Sequence, residues 1–595
     1  MIGEELDSAE LLAVSGHPPA TVLAALDAGA DLGIIEQAAG ADGCFQFPHA
    51  IARQVLLDRL SPSRLTMAHS RIAEELESTF PTAERRVQRL AHHFASARAL
   101  GYVEQAVRYL VQAAEIADRS RAHADAAGLY QRAASAATLP QQRDDLRLQA
   151  VRCYLLAADF GRARELSEQV IAAGDPRQRL RAATLYETAS VRPGREGHRA
   201  VEVLTEALRG IPRDPADALY VAGIASLGRA VAFTGASGQA RSLGDDAIAM
   251  ARSLGDRNLL ASSLDASLFH PYRPADTAER LSRGDELTRL AAQSGNAEHL
   301  GAAACFRALA CYIRGDAAGL DSCEADLAKV CQETGDFWAY FAGCIRYARQ
   351  FAEGNLDQAR QACSRLAESG SSFGTDDTEG PYGDTEGPYG VQMYLLQREA
   401  GRLEAVRPLI TGEESPAQRW PPGLLALYTE LGLERPAQRL LRWLLERYTD
   451  RDRDSGDWPI RLVFMAEAAI RLEDMAAARR LRPLMAEWAA CNVIGGHFVA
   501  VFGSADRYLG QLESLLGEGS PEDRFDAAVA LDVRTRAPLH QAETLAAYAA
   551  HLQRAGKDMA RARQLAEQAL SIAQPRGLRR ITGILARHGA EGPDA

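Results

Sequence analysis

The sequence predicts an all-α chain: a long helical-repeat superhelix, preceded by a small domain that mixes helices with a β-hairpin. Three observations predict it. From about residue 83 to the end, apolar residues recur with helical period in segments broken by short Gly, Asp or Pro turns. These segments come in pairs whose spacing scatters around a period roughly in the mid-thirties, the mark of a stacked array. The second helix of many pairs carries two alanines seven residues apart, as in Ala126/Ala133, Ala200/Ala207, Ala240/Ala247 and Ala562/Ala569. Seven residues make about two turns, so both methyls share a face and let the partner helix approach closely.

The first element differs from the rest. Pro18–Ala28 has a helical apolar pattern, and Ile34–Gln37 and Cys44–Phe47 flank a Gly40-Ala41-Asp42-Gly43 turn. Short alternating runs on either side of Asp-Gly predict a β-hairpin. A further helix follows from about His49 to Leu60. Helices, a hairpin and a helix outline a winged helix without its first part, so residues 1–80 are assigned to a partial winged-helix domain and connecting helix.

Helix pairs are expected near 104–137, 143–173, 176–210, 215–253, 257–294, 297–334 and 337–369, then near 391–412, 420–448, 457–490, 493–531 and 540–573. They divide the array into a first half, 83–370, and a second, 391–580. Between the halves, Asp377–Gly383 is repeated unchanged as Asp384–Gly390. Its Pro, Gly and acidic residues predict a flexible loop over 371–390. Residues 581–595 are assigned to a tail.

Composition narrows the function. With 67 basic and 79 acidic residues the net charge is −12 over 595 residues, which argues against direct nucleic-acid binding. The positive charge is almost all arginine, the only lysines being Lys329 and Lys557. Nine scattered cysteines without a C-x-x-C pair suit a reducing compartment. The acidic start predicts no signal peptide, and no uncharged apolar run is long enough for a membrane span. A cytoplasmic location follows as an expectation.

Two stretches resemble a known family. Phe45-Gln46-Phe47-Pro48-His49, with Arg53 four residues on, is similar to the F-x-F-x-H-x-x-x-R segment of the winged helix in STAND-type signalling ATPases. Leu90-Ala91-His92-His93-Phe94, followed by Ala106–Leu110 and Ala113-Ala114, looks like the start of their tetratricopeptide-like sensor array. The group includes bacterial LuxR-type regulators, antibiotic-pathway regulators and cyclase-linked ATPases. The resemblance implies a regulator in which the array receives a protein or peptide ligand and the winged helix passes the signal to a nucleotide domain. It implies that His49 faces nucleotide phosphates, although Pro48 and Gln54 stand where the family more often has Arg and Glu. A helix-start histidine satisfied locally is the competing reading. No nucleotide domain is legible in this chain, so ATP or ADP is expected only through a P-loop ATPase domain that is missing or on a separate chain.

Catalysis is not expected. The nearest approach to a P-loop is Gly556-Lys557, where Asp558 replaces the Ser or Thr that holds Mg²⁺. No H-E-x-x-H, paired Cys/His cluster or G-x-S-x-G elbow occurs, and adjacent His92-His93 are expected on different sides of a helix. The acidic run Asp450–Gly456 lacks the central Gly and terminal Glu of a calcium loop. No catalytic residue, metal or cofactor is therefore assigned.

For partner binding the strongest candidate is the stretch with Phe337, Trp338, Tyr340, Arg346, Tyr347 and Phe351. One of its faces packs in the array; the other is expected either to line a groove for a peptide or to be covered by neighbouring helices. Phe498, Phe502 and Tyr508 form a lesser candidate. The expectation is a non-catalytic regulatory module, with a free-standing adaptor and a DNA-binding regulator as alternatives.

Overall fold

The computed structural model describes residues 5–38, 43–79, 84–191, 197–269, 273–333, 336–373, 388–410, 412–413, 420–449, 452–453 and 455–590. Nearly all of them are helical, and the fold is an all-α helical repeat. The chain divides into two compact units, Met1–Tyr186 and Glu187–Ala595.

The first unit opens with a small antiparallel sheet in which Cys44–Gln46 lies between Glu5–Asp7 and Glu36–Gln37. Two helices, Ser8–Ser15 and Pro19–Asp31, connect the first strand to the second. Val22, Leu26 and Ile35 are buried there, which accounts for the apolar pattern of Pro18–Ala28. The hairpin pairing is as the sequence predicts, while its Gly40-Ala41-Asp42 turn lies outside the described residues. The strand Glu5–Asp7 was not expected, because three residues are too few to show an alternation.

Helices Ala50–Asp58, Pro62–Thr79 and Glu84–Ser96 then lead into two helix pairs, Val103–Arg119 with His123–Ala136 and Pro140–Leu156 with Phe160–Ala173. Ala126 and Ala133 are fully buried, with Tyr130 between them. Each helix of this stretch packs on its chain neighbours, and Asp159 starts the last one by accepting the Arg162 backbone N–H at 3.1 Å.

The second unit continues the pairing, with Asp217, Asp256, Asn296 and Asp474 capping helix starts through their side chains. Successive pairs begin at Val103, Pro140, Pro176, Ala218, Arg257, Ala297 and Asp336. The spacing is thus 36 to 42 residues, longer than the spacing read from sequence. Ala200, Ala240, Ala247, Ala562 and Ala569 are buried as the close-approach argument requires.

Four sequence expectations need correction. The second helix expected in 391–412 is a 3₁₀ segment, Leu403–Leu409, because Pro408 removes a backbone donor. The segment 493–531 opens with a β-hairpin, Asn492–Gly495 paired with Ala500–Ser504, before its helices begin at Ala505. The loop expected over 371–390 is helical at its edges, where Leu356–Phe373 ends and Pro388–Glu399 begins; the repeat between them lies largely outside the described residues. Residues 581–590 of the expected tail belong to the helix Arg579–Ala590, with Ile581 buried.

The hairpin shapes the core of the second unit. Every residue of both strands is buried. Its His497 ring packs edge-on against Phe306 at 5.2 Å and Phe341 at 5.4 Å, and Phe498 packs edge-on against Tyr312. An antiparallel hairpin of small and β-branched residues with a Gly-Gly corner is thin enough to fill a space lined by helices. Among the described residues no helix is long and apolar enough to cross a membrane.

Candidate functional site

The expected aromatic groove is closed by the chain itself. Tyr347 and Phe351 are fully buried and Trp338 nearly so. Trp338 lies over Gly301, where an added Cβ would come within 2.6 Å of its ring. Phe341 meets His497 of the hairpin, and Phe351 lies 6.1 Å from His540. Phe337 and Tyr340 are half-buried against the same core, and Arg346 is exposed. Phe498, Phe502 and Tyr508 are also in the core. The hairpin and several helices cover Trp338, Tyr347 and Phe351 from different sides, so the geometry does not assemble them into an open groove.

His49 lies in the first unit, exposed, with extended backbone at φ −132° and ψ 118°. It immediately precedes the helix Ala50–Asp58 and makes no side-chain capping bond. The local-satisfaction reading therefore finds no capping bond, and the imidazole faces outward from the unit that carries it.

What the sequence did not reveal is that the array of the second unit meets itself. Arg534 Nη2 donates to the Arg314 carbonyl at 2.9 Å, across 220 residues. Arg536 pairs with Asp321 at 2.9 Å, Asn492 donates to the Tyr312 carbonyl at 2.8 Å, and Arg576 donates to the Glu353 carbonyl at 2.9 Å. Two glycines are set by this seam. Gly315 (φ +69°) and Gly354 (φ +82°) end their helices in the left-handed region that favours glycine. An added Cβ would lie 2.5 Å from Leu531 and 2.7 Å from Arg576 respectively.

Behind the seam lies a buried charge network. Glu543 accepts from Arg507, from His540 at 3.1 Å and from Arg580 at 3.1 Å. Arg580 also grips Glu430 at 2.6 Å, and Arg398 bridges Glu399 at 2.8 Å and Glu467 at 3.0 Å. Burial opposes the Glu543 charge, yet Arg507, His540 and Arg580 together outweigh it and hold the carboxyl well below the usual range. Burial pushes Glu399 up, partly offset by Arg580. These charges largely compensate one another within the core.

At the outer edge of the seam is an open cavity of about 940 Å³. Arg314, Arg534 and Arg536 line it, with Asp316, Cys491 and the start of the helix Ala317–Glu333. All three arginines are exposed. Asp316 Oδ1 accepts the Gly319 N–H at 2.9 Å at the helix start, and the carboxylate keeps its charge on the cavity wall. Arg534 and Arg536 are held by single seam bonds, which leaves further donors of each guanidinium for another group. Burial, reinforced by Asp506, pushes the Cys491 thiol up against the opposing pull of Arg314 and Arg534. The cavity can therefore hold an anion by charge-assisted hydrogen bonds.

No family model matches the chain, and no curated protein matches it in sequence. Among solved structures, it is similar to a Rap protein complexed with Competence and Sporulation Factor, at 12% identity over 54% of this chain and 91% of that one, with a TM-score of 0.34. It is similar to the APC/C hetero-tetramer Cut9-Hcn1 at 14% identity over 90% and 95%, TM-score 0.40. A STAND protein with a tetratricopeptide repeat sensor from Pyrococcus horikoshii is similar at 13% identity, TM-score 0.24, over 74% of this chain and 62% of that one.

Proposed function

We propose that the chain is a non-catalytic binding and regulatory module whose ligand is a short acidic segment of a partner protein, held in the seam cavity. The observation that carries this reading is the cavity of about 940 Å³ with three arginines on its wall, in a chain of net charge −12. Guanidinium groups match carboxylates in planar, bidentate geometry, and a cavity of this size suits several residues rather than one small ion. The aromatic stretch offers a weaker site, because Trp338, Tyr347 and Phe351 are buried and Phe337 and Tyr340 are only half-exposed.

The wider role is that of a regulator of the STAND type. The antiparallel sheet in which Cys44–Gln46 pairs with both other strands, with two helices before the hairpin, supports a partial winged helix. The outward-facing His49 supports a nucleotide-sensing role beside a P-loop ATPase domain. In that role the chain itself carries no ATPase or other enzyme chemistry, needs no cofactor of its own, and works in the cytoplasm.

The test is fluorescence anisotropy with labelled peptides rich in Asp and Glu, set beside charge-matched neutral peptides. Acidic peptides are expected to bind, and Arg314→Glu to weaken binding by about tenfold or more, since reversing a charge beside a bound carboxylate costs several times RT. Arg346→Ala, on the covered aromatic helix, leaves affinity unchanged. Equal binding of neutral and acidic peptides, or indifference to Arg314→Glu, defeats the reading. For the regulator role, a P-loop ATPase partner whose association responds to nucleotide is expected to lose that response with His49→Ala; an unchanged response removes His49 from the mechanism.

A further inference from the structure

Two helices of the first unit bring three histidines together. His69 lies on Pro62–Thr79, and His92 and His93 lie on Glu84–Ser96. The adjacent pair was expected to diverge. Adjacent helical side chains are about 100° apart, and a third ring placed over the gap can meet both. His69 is that ring: its centroid is 5.3 Å from His92 and 5.0 Å from His93, and the latter two are 5.2 Å apart. The Nδ1 atoms of His69 and His93 are 2.8 Å apart. One ligating nitrogen from each ring can be chosen so that all three lie within 4.8 Å of one another.

Both helices are pinned by their packed faces. Ile72, Ala73 and Leu76 are buried just beyond His69, and Leu90, Ala91 and Phe94 flank the pair. Phe94 stacks on Tyr109 of the next helix, centroids 5.4 Å apart and planes within 3°. The nitrogens are therefore held near one another before any ligand arrives, which is the condition for a strong site.

We propose that His69, His92 and His93 form a binding site for one divalent transition-metal ion of the zinc class. Zinc–nitrogen bonds of about 2.0–2.1 Å in a tetrahedron put ligand nitrogens about 3.3 Å apart, so the cluster closes on an ion with sub-ångström shifts. The ion takes the place of the hydrogen shared by the two facing Nδ1 atoms; the donor ring's proton moves to its Nε2, so each neutral ring carries its one proton on the nitrogen that does not ligate.

The donor set also chooses the ion. Three neutral nitrogens, with the charge of Arg89 nearby, offer nothing to hard Ca²⁺ or Mg²⁺, which need oxygen ligands. His92 is exposed, so the fourth position opens to solvent. The ion ties the helix that leaves the sheet-bearing segment to the first helix before the repeat pairs, and so acts as an exchangeable brace within the first unit.

The test uses the full chain, purified without a histidine tag and stripped with chelator, titrated with Zn²⁺ against a chromophoric competitor and with Co²⁺ followed by its visible absorption. One equivalent is expected, with the intense bands of four-coordinate Co²⁺ and a raised melting temperature. His69→Ala and His92→Ala are each expected to weaken binding at least roughly tenfold and to abolish the thermal shift. Because His93 is buried, these two variants carry the test, and circular dichroism checks that they fold. Absence of binding, binding unchanged in both variants, or binding lost on alkylation of the cysteines while the histidines are intact overturns the proposal.

Discussion

In the first unit the repeat pairs are joined by bonds that reach one repeat away, as from Gln178 to the Gln141 carbonyl, 37 residues apart. In the second, bonds also span 150 to 223 residues, from Arg580 to Glu430 and from Arg576 to Glu353. The same kind of helix pair thus builds two different objects. A stack held only by its neighbours has stability that sums locally, so damage stays local. A stack that meets itself gains a seam, a buried hairpin and a charge network, and loses the open groove that a sensor array is expected to offer. Ligand binding then shifts from the inner face to the edge of the seam.

The sharpest way to break the contrast is Glu543→Ala. It leaves the Arg507 and Arg580 guanidinium groups facing a lost carboxylate, and breaking one side of a buried ion pair costs about 3–5 kcal/mol. Denaturant unfolding of the full chain is expected to show a loss of that size; a loss below about 1 kcal/mol would mean that the buried network does not hold the seam.

Gly315→Ala against Gly101→Ala sharpens it. Both glycines have positive φ, +69° and +101°, but a Cβ on Gly101 meets nothing within 4 Å whereas one on Gly315 strikes Leu531. Gly101→Ala is expected to cost about 1 kcal/mol through backbone strain alone. Gly315→Ala is expected to cost about 2–3 kcal/mol, since the seam must also shift. Equal costs, measured by thermal or chemical melts, mean that the close contact at the seam is not held.

Acid acts on both units, on the second through His497, which burial lowers to about 3, and on the first through the histidine cluster. His69 and His93 are held below the unfolded value of about 6.5, at about 4 and about 3. Below pH 6.5 the unfolded chain takes up protons that the folded first unit refuses. Their contribution is thus fully present above about pH 6.5 and declines as pH falls toward 4 and then 3. The melting temperature of the first unit is expected to fall over that range, and His69→Ala to flatten the fall.

The smallest effect is expected from Arg536→Ala. Its pair with Asp321 crosses the seam at 2.9 Å, but Arg536 is 61% exposed. Solvent-exposed pairs contribute about 0–1 kcal/mol, so this loss is nearly silent in unfolding. A large loss would move the strength of the seam from its buried network to its rim.

What was legible in the sequence follows the same division. Most helix pairs, the close-approach alanines and the Ile34–Phe47 hairpin carry local periodic signals and lie near where they were read, the pairs expected at 391–412 and 493–531 excepted. The Asn492–Ser504 hairpin was missed although its run of Val, Ile and Phe around Gly495-Gly496 is a strand signal, because the surrounding helical period was extended across it. The seam left no signal at all. Nothing local ties Arg314 to Arg534, or His69 to His93, since such contacts depend on how helices stack and not on spacing along the chain. The burial of Tyr347 and Phe351 was open for the same reason: a ring on a helix face reads alike whether a peptide or the chain's own hairpin covers it.

The most direct test of the account is hydrogen–deuterium exchange on the full chain with and without a saturating acidic peptide. The account predicts added protection at residues 314–320 and 531–536, on the two sides of the cavity, with the helix Asp336–Ala352 unchanged. Protection centred on Asp336–Ala352, together with opening of the Asn492–Ser504 hairpin, would contradict it and return the aromatic helix to the role of the ligand groove.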